Sequence, residues 1–99
     1  MIAKSNSIAL HGSSLRGTIT ASYDTLVKTF GQPTPVVGED KMQVIWEMQF
    51  PDGTLIAIYD WKYDGQPVET ISVWNVGGFS RQALWSVWEA LDGQQQVAA

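Results

Sequence analysis

Residues Lys41 to Lys62 read as a β-hairpin with one face buried and one face wet. Met42, Val44, Trp46, Met48 and Phe50 occupy alternate positions, and Gln43, Ile45, Glu47 and Gln49 lie between them. Only Ile45 departs from period-two alternation, the pattern of a strand whose successive side chains point to opposite faces. Pro51-Asp52-Gly53 turns the chain, and Thr54 to Lys62 returns as the second strand. The hairpin commits the chain to an antiparallel sheet, and it carries no recognisable catalytic motif.

The remaining elements follow from local signals. Residues 1–14 are small and polar and read as a lead, with room for an edge strand at Ser7–Leu10. A strand is expected over 15–20, where Thr18, Ile19 and Thr20 are β-branched. Ser22 is placed to cap a helix over 23–30, because its hydroxyl can accept from an orphaned backbone N–H. Tyr23, Leu26, Val27 and Phe30 give that helix a single apolar stripe. Asp24 and Lys28 complement its dipole, Gly31 supplies a left-handed stop and Pro33 prevents resumption. A loop follows to Asp40, and the hairpin strands are expected over 41–50 and 54–62. Asp64-Gly65 signals a turn, and Glu69 to Val76 reads as the next strand, 69–76, broken by Gly77-Gly78. Ser80 can cap a second helix over 80–91, with Leu84, Trp88 and Leu91 as its inner stripe, Val87 beside them and Trp85 to one side. Asp92-Gly93 ends it and 94–99 is a tail. The order β-α-β-β-β-α predicts an α+β fold, an antiparallel meander with both helices on one face, in a single domain over 15–93.

Composition narrows the functional classes. Five tryptophans in 99 residues are unusual; each large aromatic can bury roughly 150–250 Å², so they serve either as core or, where Trp and Tyr are enriched, as a binding surface. The net charge of −4 argues against general nucleic-acid binding, which needs a basic face. With no cysteine, disulfides, thiolate metal sites and cysteine nucleophiles are excluded. No apolar run approaches the ~20 residues of a membrane span. The first eleven residues lack the apolar stretch of a secretory signal. A cytoplasmic location, without membrane contact, is expected.

Chemistry-bearing constellations are few. His11 has no neighbouring acid or second ligand, so no metal site is expected. Asp60, Asp64 and Glu47 read as cross-strand surface charges rather than a glycosidase pair. Neither Gly-x-Ser-x-Gly nor a Walker loop occurs, and no cofactor or enzymatic activity is expected. Two segments are site-like. In Trp74-Asn75-Val76-Gly77-Gly78-Phe79-Ser80-Arg81, Gly77 and Gly78 would let backbone approach a ligand and a helix N-terminus would attract an anion. Arg81 would add a fork-shaped cation, and Trp74, beside Asn75, a stacking face. The alternative is a plain strand-to-helix turn. In Tyr59-Asp60-Trp61-Lys62-Tyr63, three aromatics alternate with charges. If the strand persists, Tyr59, Trp61 and Tyr63 share one face, either packed, with Asp60 and Lys62 in water, or open as a binding strip.

An ordered set of short stretches resembles a group of small bacteriophage and viral proteins. They are Gly17-Thr18-Ile19-Thr20, Tyr23-Asp24-Thr25-Leu26-Val27, Phe30-Gly31-Gln32-Pro33, Asp40-Lys41, Trp46, Phe50, Asp52-Gly53, Ile58-Tyr59-Asp60-Trp61-Lys62 and Trp74-Asn75-Val76-Gly77-Gly78. The resemblance covers Gly17 to about Gly78 and implies a viral origin and a host cytoplasm, with no catalytic residues to carry over. Viruses of that kind encode many small non-enzymatic proteins that disable host defences. The leading expectation is therefore an inhibitor of a host defence protein, of the anti-CRISPR type, acting through Tyr59, Trp61, Lys62, Tyr63, Trp74, Asn75, Gly77, Gly78 and Arg81. A sponge for a nucleotide messenger and a self-associating virion or scaffold component are the alternatives, and a homo-oligomer is compatible with each.

Overall fold

A computed structural model describes residues 3–4, 14–36, 41–63 and 65–95. Ser7–Leu10, His11, Asp40, Asp64 and residues 96–99 lie outside the described residues. The elements are β1 Ala3–Lys4, β2 Ser14–Thr20, α1 Tyr23–Phe30, β3 Thr34–Pro35, β4 Val44–Gln49, β5 Leu55–Tyr59, a 3₁₀ turn Val68–Thr70, β6 Val73–Gly78 and α2 Gln82–Gln95. They form the expected α+β architecture. One antiparallel sheet runs in the order β1-β4-β5-β6-β2, with the two-residue β3 also beside β4.

Local rules explain the hairpin and the first helix. The Phe50 amide donates to the Thr54 carbonyl at 2.9 Å and the Gly53 amide to the Phe50 carbonyl at 2.8 Å. Gly53 sits at φ 92°, a region that L side chains avoid. Ser22 accepts from the Thr25 amide at 3.1 Å, and the Gly31 amide closes α1 on the Val27 carbonyl at 2.8 Å. Eight residues are too few for a free helix. Leu26 and Phe30 anchor α1 to the sheet, each stabilising by roughly 1.5–3 kcal/mol when enclosed.

Strand register decides which side chains meet. Trp46 lies opposite Ile58, which lies opposite Val76; Met48 lies opposite Ile56, which lies opposite Gly78. These residues, with Ile19 and Trp74, face Leu26, Phe30, Ala83, Val87 and Leu91 in one core. At its centre Trp46 and Trp74 pack edge to face, centroids 5.4 Å apart at 82°. Tyr23 of α1 lies 5.9 Å from Trp46 and 6.3 Å from Trp74. Both buried indoles keep a partner: Trp46 donates to the Gly31 carbonyl at 2.7 Å and Trp74 to the Ala21 carbonyl at 2.9 Å.

Several features differ from expectation: Ala3–Lys4 of the lead and Thr34–Pro35 of the loop pair with β4, the hairpin strands shorten to Val44–Gln49 and Leu55–Tyr59, and α2 runs past the expected stop at Asp92-Gly93 to Gln95. The segment expected as strand 69–76 begins instead with the 3₁₀ turn, where the Thr70 hydroxyl donates to the Pro67 carbonyl at 2.7 Å. Pairing then continues through Gly77 and Gly78, which belong to the strand rather than break it. In α2, Trp88 is not on the inner stripe. Ala83, Val87 and Leu91 are, while Trp85 and Trp88 are 43% and 45% exposed. The glycines cause this rotation. A Cβ at Gly78 would stand 2.5 Å from the Ala83 Cβ, and one at Gly17 would stand 2.8 Å from Leu84 Cδ2. The sheet thus offers two bare backbone sites, and the helix seats its small Ala83 and its Leu84 there.

Candidate functional site

Both helices cover the same side of the sheet, so the other side carries the alternate residues of each strand. One row runs Glu47, Ala57, Gly77, Leu15, and the next Ile45, Tyr59, Asn75, Thr18. Thr20 and Val73 pair below them. Ala57 and Gly77 form a low floor. Tyr59 borders it, since a Cβ at Gly77 would lie 3.6 Å from Tyr59 Cε1. Leu15 (55%), Val73 (41%) and Trp61 (37%) leave substantial apolar surface on or beside this face. The rings of Tyr59 and Trp61 meet edge to face, 6.1 Å apart at 83°. Lys41 Nζ stands 5.9 Å from the Trp61 ring, within cation–π range.

Glu47 brings a carboxyl to this face. Partial burial pushes its carboxyl above the usual carboxylate range. It lies opposite Ala57, not Asp60 or Lys62.

The Tyr59–Tyr63 segment does not keep one face. β5 ends at Tyr59, and Lys62 takes φ 63°, its amide donating to the Lys41 carbonyl at 2.8 Å. That left-handed step ends the alternation. Tyr63 turns to the core, with its hydroxyl donating to the Val73 carbonyl at 2.9 Å. Lys62 remains in water. Asp60, expected to be solvated, is wholly enclosed. Its carboxylate accepts from the amides of Gln43 and Val44 at 2.8 and 3.0 Å and from Gln43 Nε2 at 3.1 Å. Gln43 Nε2 also donates to the Gln66 carbonyl at 2.8 Å. Asp60 therefore ties the start of β4 to the loop after β5, a structural duty that leaves no free carboxylate oxygen for chemistry.

The anion cradle expected over Trp74–Arg81 does not assemble. Trp74 is fully enclosed and has no stacking face to offer. Gly77 and Gly78 are buried inside β6, and the bareness of Gly78 is used by Ala83. The Gly78 carbonyl accepts from Arg16 Nε at 3.0 Å, the residue bulged between Leu15 and Gly17. Arg81 is exposed. Asn75 is half-buried on the uncovered sheet side, next to Tyr59. Of the nine residues expected to form a site, the structure brings Tyr59, Trp61, Asn75 and Gly77 to one surface and sends Trp74, Gly78 and Tyr63 to the core side.

Leu15, Val73 and Glu47 belong to this surface and carried no site signal in the sequence. Alternation placed Glu47 on the wet face of the hairpin, but nothing local places Leu15 beside Gly77. A separate open cleft of about 460 Å³ lies between the hairpin turn and α2, lined by Phe50, Pro51, Asp52, Gln82, Ser86, Glu89 and Ala90. Among the described residues no group of three or more His, Cys, Asp or Glu is placed to hold a metal ion, and no helix is long and apolar enough to cross a membrane.

Fold and surface together define a small two-layer α+β protein with one helix-covered and one helix-free sheet side. Comparisons with protein-family models, with curated proteins and with solved structures find no match to this chain.

Proposed function

We propose that this chain is a non-enzymatic binding protein that engages a protein partner through the helix-free side of its sheet. The observation that carries the reading is the placement of Leu15, Val73 and Trp61, exposed apolar side chains gathered around Tyr59 and the Ala57–Gly77 floor. Aromatic side chains of this kind dominate the energetics of protein interfaces. The Glu47 carboxylate and the chain's acidity suit a partner that presents basic side chains around an apolar contact. The resemblance to small viral proteins extends the reading to a stoichiometric inhibitor of a host defence protein, acting in the host cytoplasm. A nucleotide sponge is disfavoured, because Trp74 and Gly78 are committed to packing.

Affinity capture from a bacterial lysate tests the proposal. The wild-type chain is expected to retain a defined partner, and Trp61→Ser and Leu15→Glu to lose it at an unchanged melting temperature. Lys28→Ala, on the far side of α1, is expected to retain it. Equal capture by all four chains would refute the assignment of this surface.

A further inference from the structure

The outer face of α2 presents a second feature. On a 3.6-residue repeat, positions 81, 85, 88 and 89 lie away from the Ala83–Val87–Leu91 stripe that packs on the sheet. The indoles of Trp85 and Trp88 sit there, 43% and 45% exposed and packed on each other, centroids 4.8 Å apart at 63°. A helix that is apolar on both its inner and outer sides is characteristically covered on both. Glu89 is also exposed, as is Arg81 in the turn just before α2; the Arg81 carbonyl accepts from the Trp85 amide at 3.2 Å and so continues the helical repeat. Arg81 and Glu89 stand four residues before and four residues after Trp85.

That spacing selects the occupant. We infer that the outer face of α2 pairs with the same face of a second copy of this chain, antiparallel, across a two-fold axis at Trp85. A two-fold interface is self-complementary: if residue i meets residue j, j meets i. With the axis at Trp85, Arg81 of each copy falls opposite Glu89 of the other, giving two ion pairs that flank a cluster of four indoles. A parallel pairing would instead set Arg81 against Arg81 and Glu89 against Glu89, like charges that disfavour it. Glu89 also lines the cleft that Asp52 borders, so each incoming guanidinium meets an acidic rim. A 14-residue helix is about 21 Å long, and one such contact falls at the small end of specific interfaces, below about 1,200 Å². The dimer is therefore weak and reversible. It lies on the opposite layer from the surface assigned to the protein partner, so it stands independently of that reading.

Sedimentation velocity on the full chain, from about 5 μM to about 500 μM, reads the dissociation constant directly. The wild-type chain is expected to pass from monomer to dimer within this range. Trp85→Ser is expected to remain monomeric. Arg81→Glu and Glu89→Arg each create two like-charge pairs per dimer and are expected to weaken it at least about tenfold. The double charge swap Arg81→Glu with Glu89→Arg is expected to return to within about threefold of wild type, because the pairs are re-formed with reversed sign. Circular dichroism confirms that each variant is folded. A wild-type chain that stays monomeric throughout, a Trp85→Ser chain that dimerises normally, or a double swap no tighter than its single parents would overturn the inference.

Discussion

Two adjacent glycines should respond to the same substitution with opposite signs. Gly78→Ala adds a Cβ that would stand 2.5 Å from the Ala83 Cβ and 3.1 Å from the Leu55 carbonyl oxygen. Carbon atoms in favourable contact lie about 3.5–4.0 Å apart, so the shortfall against Ala83 is about 1 Å. Neither neighbour is the far end of a flexible side chain: one is fixed to the α2 backbone and the other is β5 backbone. The strain must be relieved by lifting α2 from the sheet, which loosens Val87 and Leu91 as well. Overpacking of this kind costs about 1–3 kcal/mol. For a domain near this size each kcal/mol moves the melting temperature by about 4–8 °C, so a fall of about 4–24 °C is expected. At Gly77 the new Cβ would meet the Ser14 carbonyl oxygen at 3.5 Å, Tyr59 Cε1 at 3.6 Å and the Ala57 Cβ at 3.9 Å, all ordinary contacts. Gly77→Ala then acts mainly by reducing the entropy of the unfolded chain, a gain of about 0.4–1 kcal/mol. Thermal unfolding followed by circular dichroism distinguishes the two. Combining Gly78→Ala with Ala83→Gly should cost less than the sum of the single changes, because the clashing Cβ is removed. A Gly78→Ala chain as stable as wild type, or a Gly77→Ala chain that falls equally far, would refute the packing argument.

Other perturbations probe the interior. Asp60→Ala leaves the amides of Gln43 and Val44 without their acceptor; at about 1–3 kcal/mol per unsatisfied group, a loss near 3 kcal/mol is expected in urea unfolding. Trp74→Phe removes the donor to the Ala21 carbonyl and part of the core volume, with an expected loss of about 2–3 kcal/mol and a changed fluorescence of the Trp46–Trp74 pair. Glu47 gives a pH signature. Its carboxyl is raised by burial, so the folded chain holds that proton more tightly than the unfolded one. Its contribution therefore declines as pH rises from the ordinary glutamate value, 4.5, through the raised one. Glu47→Gln should raise the urea midpoint at about pH 8 and leave it unchanged at about pH 4; a gain that is equal at both pH values would show that charge is not the cause.

Much of the fold was legible because its signals are local. The alternation from Met42 to Phe50, the Pro51-Asp52-Gly53 turn, the Ser22 cap and the Gly31 stop each act within a few residues. Each appears where its own chemistry puts it. The candidate surface was legible only in part. Tyr59 and Trp61 stood out as aromatics, yet Lys62 is one non-glycine residue in a left-handed conformation, and that single step separates Tyr63 from them. Five tryptophans look alike in sequence. Trp46 and Trp74 are enclosed while Trp61, Trp85 and Trp88 meet solvent; alternation marks Trp46 for the core and the helical repeat sets Trp85 aside, but neither separates Trp74 from Trp61, and the repeat puts Trp88 on the wrong side.

By itself the sequence determined the hairpin, the two helices and the helix-on-sheet class, since hydrophobic period, caps and turns are properties of neighbouring residues. Only the tertiary structure placed β2 beside β6 and brought Leu15 next to Gly77. It also enclosed Asp60, and it turned α2 so that Ala83 rather than Trp88 meets the sheet. Those outcomes depend on which distant strands pair and on where a bare glycine lets a helix come close, and both depend on contacts between residues far apart in the chain.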